Sequence, residues 1–312
     1  MKSIPPGLSV VIPAYNSAET LAELVERLGR VLPALARDFE VILVNDGSRD
    51  NTWEVIRLLA AEHGFVRGIN LMRNYGQHNA LLCGIRAARY DRTVTMDDDL
   101  QHPPEALPNL VAALTDQIDV VYAAPDRPQH GLWRNLASFV TKLTLRNSMG
   151  ARTARMASAW RIFRTNLRDA FAAYGSPYVS IDVLLTWGTT RFDAISLRHD
   201  PRARGESNYT ALSLLRHALN MMTGFSTVPL RFANVVGLLF TVFGGLVLLY
   251  VVGRYLLEGS KVAGFPFLAS IIAIFAGAQL FALGIIGEYI ARMHGRLMER
   301  PSYVVQTDNA RE

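Results

Sequence analysis

Two apolar runs, 232–257 and 265–290, occupy the last third of the 312-residue chain and constrain its fold more than any other feature. At about 1.5 Å rise per residue, each is long enough as a helix to cross a hydrocarbon core of about 30 Å. The short link between them makes the pair a hairpin. Arg231 precedes the first run and Arg292, Arg296 and Arg300 follow the second, whereas the link offers only Lys261, with Arg254 close by. That bias predicts that both ends of the hairpin, and everything before it, face the cytoplasm. Gly237, Gly244, Gly245, Ala276, Gly277, Ala278, Gly284 and Gly287 allow helices to approach closely, within the hairpin or between subunits. The expected organisation is a catalytic-type domain over 1–209, an amphipathic juxtamembrane helix over 210–231, two transmembrane helices over 232–290 and a cytosolic tail over 291–312.

The remaining two thirds mix charged and apolar residues as a soluble domain does. No secretory leader is expected, because a strand begins almost at once. Cys83 is the only cysteine, so an intrachain disulfide is impossible. The net charge of +5 is modest. With no zinc-finger spacing and no basic heptad helix, nucleic acid is not an expected partner. Much of the positive charge lies near the apolar runs, which points to anionic lipid or phosphate.

Strand and helix signals alternate through this part. Strands are predicted over 8–13, 39–44, 68–71 and 119–122, with a further one delivering the acidic stretch at 97–99. Helices are predicted over 20–32, 53–61, 79–88, 132–146 and 210–222, from apolar residues at helical spacing. Alternation of this kind implies an α/β fold with a mainly parallel sheet covered on both faces. Ligands bind such sheets beyond the carboxyl ends of the strands. Polar clusters fall there at Tyr15-Asn16, at Asn45-Asp46-Gly47-Ser48 and at Asp97 to Gln101. No Gly-x-Gly-x-x-Gly follows the first strand and no Gly-Lys-Ser/Thr loop occurs, which disfavours a dinucleotide dehydrogenase or a P-loop enzyme.

In Asp97-Asp98-Asp99-Leu100-Gln101, strand alternation would set Asp97 and Asp99 on one face and Asp98 on the other. Two such carboxylates suit a hard cation shared with substrate phosphates, to which Gln101 can add a neutral oxygen. An acidic turn with solvated charges is the alternative. Asp46 can accept donors from a base or ribose, or close an Asx-turn at Asp-Gly. The basic segment 132–146 is equally an amphipathic helix on a membrane or a soluble surface helix.

Val10-Val11-Ile12-Pro13-Ala14-Tyr15-Asn16, Val44-Asn45-Asp46-Gly47-Ser48, Arg73-Asn74-Tyr75-Gly76-Gln77-His78 and the acidic stretch through Pro103-Pro104-Glu105 together resemble the inverting nucleotide-diphosphosugar glycosyltransferases of family 2. They are most similar to its polyisoprenyl-phosphate branch, which includes dolichyl-phosphate mannose synthase and the bacterial undecaprenyl-phosphate sugar transferases. Gly287-Glu288-Tyr289-Ile290-Ala291-Arg292 and Arg300-Pro301-Ser302-Tyr303 extend the likeness, to the bacterial arabinose-type enzymes, over nearly the whole chain.

The resemblance implies a GT-A, Rossmann-like domain ahead of the hairpin. It also implies transfer of a sugar from a nucleotide-diphosphosugar, UDP-linked, to polyisoprenyl phosphate at the inner (plasma) membrane, in a homo-oligomer, a tetramer in relatives. By the same match Asp97, Asp99 and Gln101 hold Mg²⁺ or Mn²⁺, and Asp97, Asp99 and Arg202 carry catalysis. Pro13, Tyr15, Asn16, Asp46, Asn74, Gly76, Gln77, Asp98 and Ser207 bind the donor, and Arg127, Arg134 and Ser138 hold the lipid phosphate. Four positions depart from the pattern: Ser17 where relatives often have Glu, Asn45 where they have Asp, Asn208 for Lys, and no acid shortly before Arg161. His102 is expected to be a loop residue rather than a ligand. A processive polysaccharide synthase would need more spans and a Gln-x-x-Arg-Trp motif, neither of which occurs. A degenerate nucleotide-binding scaffold rests only on the missing acid.

Overall fold

The computed structural model describes residues 4–125, 157–198, 228–258 and 265–309. They fall into two units: the first comprises 1–218 and, after an interval, 299–312, and the second comprises 219–298.

The first unit is built on an eight-stranded mixed sheet. Its strands are β1 (Leu8–Ala14), β2 (Phe39–Asn45), β3 (Val66–Leu71), β4 (Arg92–Thr95), β5 (Val120–Pro125), β6 (Arg161–Arg164), β7 (Phe192–Leu197) and β8 (Val305–Asp308). Their order is β7-β5-β6-β4-β1-β2-β3-β8. β1 to β4 are mutually parallel, β5 is parallel to β7, β6 opposes both its neighbours, and β8 runs antiparallel on β3.

Every residue of β1 is buried, and all of β2 beyond Phe39, as continuous apolar runs in a parallel sheet covered on both faces require. The cover comes from α1 (Leu21–Val31), α2 (Thr52–Glu62), α3 (Gln77–Ala87), α4 (Leu107–Ala113) and α5 (Ile181–Gly188). In α1, Leu21, Leu24, Val25 and Leu28 are buried at helical spacing. α3 lies so close to β1 that a Cβ on Gly84 would stand 2.3 Å from Val11 Cγ1, so only glycine fits there. One buried polar knot ties the amino-terminal ends: Glu40 accepts from Ser9 Oγ at 2.8 Å and from the Arg89 backbone N–H at 2.7 Å.

β6, β7, β8, α4 and α5 are additional to the predicted elements. β4 ends at Thr95, two residues before Asp97, so strand alternation does not orient the aspartates; the loop beyond the strand does. The predicted helices over 132–146 and 210–222 lie outside the described residues.

The second unit consists of α6 (Val228–Glu258) and α7 (Phe265–Leu297), each longer than its apolar run. Both are long and apolar enough to cross a membrane, and the apolar windows carry no burial within the protein. Phe275 of α7 packs against Phe240 and Phe243 of α6 at ring separations of 5.7 and 6.3 Å. After α7 the chain rejoins the first unit through β8.

Candidate active site

Chain order runs outward from β1 to β2 and β3 on one side, while β4 lies on the other, so the switch point of the sheet is the crevice between β1 and β4. A cleft of ≈ 280 Å³ opens at this end, lined by Pro13, Ala14, Tyr15, Asp46, Asn74, Gly76, Gln77, Asp97, Asp98 and Asp99. Nine of these ten were expected in the site from the sequence. They arrive from the carboxyl ends of four adjacent strands.

Asp46 forms one wall. Its Oδ1 accepts the Tyr75 N–H at 2.7 Å and its Oδ2 the Gly76 N–H at 2.8 Å. Gly47 makes this possible: it sits at φ +63°, and a Cβ there would lie 2.4 Å from the backbone of Arg73 and Asn74. Asp46 is buried, and burial pushes its carboxyl up to about 6 against the two backbone donors and the Arg73 guanidinium. Arg73 itself lies over the Tyr75 ring at 4.3 Å.

The acidic loop forms the other wall. Gln77, the first residue of α3, donates its Nε2 to Asp97 Oδ1 at 2.6 Å. Asp98 is braced rather than presented, since its Oδ2 accepts the Ser17 hydroxyl and the Tyr15 N–H, the latter at 3.3 Å. Burial raises the Asp98 carboxyl, and the Ser17 and Tyr15 donors oppose that rise. Beyond it, Leu100 takes φ +61° and the Gln101 N–H donates to Asp99 Oδ1 at 3.2 Å. A bulky residue in that region is strained, a cost that persists where surrounding contacts over-determine the loop.

One of those contacts is His102. Its Nδ1 accepts the Asp97 N–H at 3.1 Å, and its ring is buried and stacked on Trp160 with centroids 5.1 Å apart. His102 is therefore a brace of the acidic loop, a role its position before paired prolines did not betray.

Two expected residues are placed differently. Gln101 is not among the lining residues. Asn16, at φ +55°, uses its Oδ1 to accept the Arg49 N–H at 2.9 Å and its own N–H to reach Ser48 Oγ at 3.0 Å, joining the loops behind the cleft. Arg202, Ser207, Arg127, Arg134 and Ser138 lie outside the described residues, as do Asn208 and 151–156.

Arg161 is buried, and its partner is Asp182, from the first turn of α5. The Tyr122 hydroxyl donates to the same Asp182 oxygen at 2.9 Å, and Arg161 lies over the Tyr122 ring at 5.7 Å. Arg161 thus finds its carboxylate partner 21 residues downstream, a relationship that only folding reveals.

Among the described residues no group of three or more His, Cys, Asp or Glu side chains is placed to hold a metal by itself. Asp98 is engaged by Ser17 and Tyr15, Asp97 by Gln77 and Asp99 by the Gln101 N–H, and Asp97 and Asp99 are the pair that the cleft would offer a metal. Such a pair fits a hard divalent ion that takes its other oxygens from a substrate diphosphate.

Residues 9–174 match the family model described as glycosyl transferase family 2. The chain belongs to that family and is a glycosyltransferase. Curated relatives named undecaprenyl-phosphate 4-deoxy-4-formamido-L-arabinose transferase include one from Pseudomonas paraeruginosa, 34% identical over 310 residues, covering 98% of this chain and 91% of the relative. Another, from Shewanella sediminis, is 35% identical over 302 residues, with 96% and 91% covered. A third, from Proteus mirabilis, is 34% identical over 302 residues, with 96% and 93% covered. Among solved structures, glucosyl-3-phosphoglycerate synthase from Mycobacterium tuberculosis in complex with Mn²⁺ and UDP-glucose superposes with a TM-score of 0.51 at 19% identity, covering 70% of this chain and 77% of that one. That likeness concerns the fold, a GT-A-like sheet followed here by two candidate membrane helices.

Proposed function

We propose that this glycosyltransferase moves a sugar from a UDP-sugar to the phosphate of a polyisoprenyl carrier, undecaprenyl phosphate, with inversion at the anomeric carbon and with a divalent cation. The observation that carries the donor side is the cleft itself, with a buried carboxylate, Asp46, on one wall and the Asp97–Asp99 pair on the other. The acceptor class comes from the relatives, which match from end to end, hairpin included.

Asp46 is suited to accept an N–H or hydroxyl from uridine, because a buried carboxylate fixed by two backbone bonds is a pre-oriented acceptor. Asp97 and Asp99 would hold Mg²⁺ or Mn²⁺, which neutralises charge developing on the leaving diphosphate. Gln77 and His102 fix Asp97 from its side chain and its backbone, so this wall needs little reorganisation during transfer. By resemblance Arg202 and Ser207 meet the donor phosphates, and Arg127, Arg134 and Ser138 the acceptor phosphate. Arginine suits phosphate because its planar fork binds two oxygens at once.

A phosphate monoester has a second pKa of about 6, so the acceptor is largely ionised at cytosolic pH and needs no strong general base. Catalysis then rests on positioning two anions and stabilising the leaving group. The scaffold alternative rests on the missing acid alone, and metal-dependent sugar transfer would exclude it.

The hairpin leaves and re-enters the sequence of one unit, which fits two crossings with the catalytic domain and tail on the same, cytoplasmic, side of the inner membrane. Titrating the detergent-solubilised protein with UDP, GDP and ADP, with and without Mg²⁺, tests the donor assignment. Metal-strengthened binding of UDP over the other two is expected; equal binding of all three would contradict it.

A further inference from the structure

The carboxyl-terminal segment joins the first unit only after the hairpin, and it is bonded firmly into the edge of the sheet. Arg67 grips Asp308 with bonds of 2.9 and 2.7 Å. The Met72 N–H donates to Val304 O at 3.0 Å, and the buried Ser302 hydroxyl to Ser176 O at 2.9 Å.

From this strand a line of side chains runs inward. Asn70 Nδ2 donates to Gln306 Oε1 at 3.0 Å, and Asn45 Nδ2 donates to Asn70 Oδ1 at 2.7 Å. Asn45 Oδ1 accepts the Ser48 N–H at 3.3 Å and its hydroxyl at 2.5 Å. Ser48 Oγ in turn accepts the Asn16 N–H at 3.0 Å. The line ends on the two loops behind the cleft, beside Tyr15 and Asp46.

Asn45 and Asn70 are buried, so each depends on its neighbour to satisfy an amide, and a gap at one position is felt at the next. Asn70 and Asn45 each donate toward β8 and accept from the side of the cleft. Asn45 must do both, which a carboxylate at that position cannot do.

We propose that β8 is a positioning element of the donor cleft, and that Gln306, through Asn70 and Asn45, orders the Tyr15–Asn16 and Asp46–Ser48 loops. The donor half of this inference rests on the function proposed above. Gln306 is exposed, so its replacement leaves Asn70 open to water instead of collapsing the fold.

The test is hydrogen exchange of the full-length protein in nanodiscs without nucleotide, paired with UDP titration, for wild type, Gln306→Ala and Gln306→Glu. In Gln306→Ala, peptides spanning 14–18 and 45–49 should exchange about two- to tenfold faster and UDP affinity should fall by a similar factor, the size expected for one net hydrogen bond. Peptides from α1 should not change. Gln306→Glu, which keeps the acceptor oxygen, should restore both loops. Unchanged exchange at both loops in Gln306→Ala, or faster exchange throughout the unit, overturns the coupling. Faster loop exchange with unaltered UDP affinity overturns the positioning role. A wild type that binds no UDP overturns the donor assignment instead, and the nucleotide-free exchange still decides the coupling.

Discussion

Asp46 Oδ2 accepts the backbone N–H of Gly76 at 2.8 Å, so one wall of the cleft is a carboxylate fastened to the loop that leads into α3. With the Tyr75 N–H on Oδ1, both oxygens face backbone donors. An amide cannot do the same, because its NH₂ would be set against an N–H. Asp46→Asn is therefore expected to weaken UDP binding by at least about tenfold and to lower stability by about 1–3 kcal/mol, the cost of an unmet buried donor. Isothermal titration and thermal unfolding measure the two effects; wild-type affinity in Asp46→Asn would contradict the assigned role.

The same residue gives a pH dependence. Burial raises the native carboxyl to about 6 from its ordinary 3.8, so the native state holds this proton more tightly than the unfolded chain. Its contribution to stability is present in full below about 3.8 and is lost as pH rises through 6, a change on the order of 3 kcal/mol. Donor binding should run the other way, since the ionised acceptor predominates above 6. UDP affinity measured from pH 7.5 down to 5 should fall, and Asp46→Asn should flatten the profile.

Arg161 is buried and its partner Asp182 is partly buried, so removing one strands the other. Arg161→Met is expected to cost about 3–5 kcal/mol of stability, read as a lowered denaturation midpoint. Asp182→Asn should cost less, because the side-chain oxygen can still accept from Tyr122. Equal, negligible losses for both would show that the pair does not hold β6 against α5.

Within the hairpin, a Cβ at Gly244 would stand 2.8 Å from Phe275 Cζ, so α6 and α7 meet where a side chain is absent. Gly244→Val should lower the thermal stability of the detergent-solubilised protein by about 1–3 kcal/mol, as overpacking does. UDP binding by the first unit should be unchanged at temperatures where the protein stays folded.

The order of strands and helices through Ala87 was legible because β1 and β2 are nearly continuous apolar runs and each helix carries buried apolar residues at helical spacing; β3, Val-Arg-Gly-Ile-Asn-Leu, showed only over its last four residues. The cleft was legible for a related reason: a parallel sheet brings the residues after β1, β2, β3 and β4 to one edge whatever their separation in sequence. β6 was not legible. Its four residues begin and end with Arg, and they are tolerated because Arg161 meets Asp182 and Arg164 meets Asp116 and Asp119. β8, Val-Gln-Thr-Asp, has no apolar pattern because it is an edge strand held by backbone pairing and Arg67. The orientation of Asp98 was also hidden, since it depends on Ser17, 81 residues away.

Sugar transfer to a lipid phosphate, with Asp97 and Asp99 as the metal-holding pair, is open to direct assay. The most direct measurement is transfer of label from a panel of UDP- and GDP-sugars to undecaprenyl phosphate by wild type and Asp99→Ala, with Mg²⁺, with Mn²⁺ and with chelator. The prediction is organic-soluble label from one UDP-sugar, present with metal, absent with chelator, and reduced at least about a hundredfold in Asp99→Ala. Labelling that survives chelator and the substitution, or no labelled lipid from any donor, would contradict the claim.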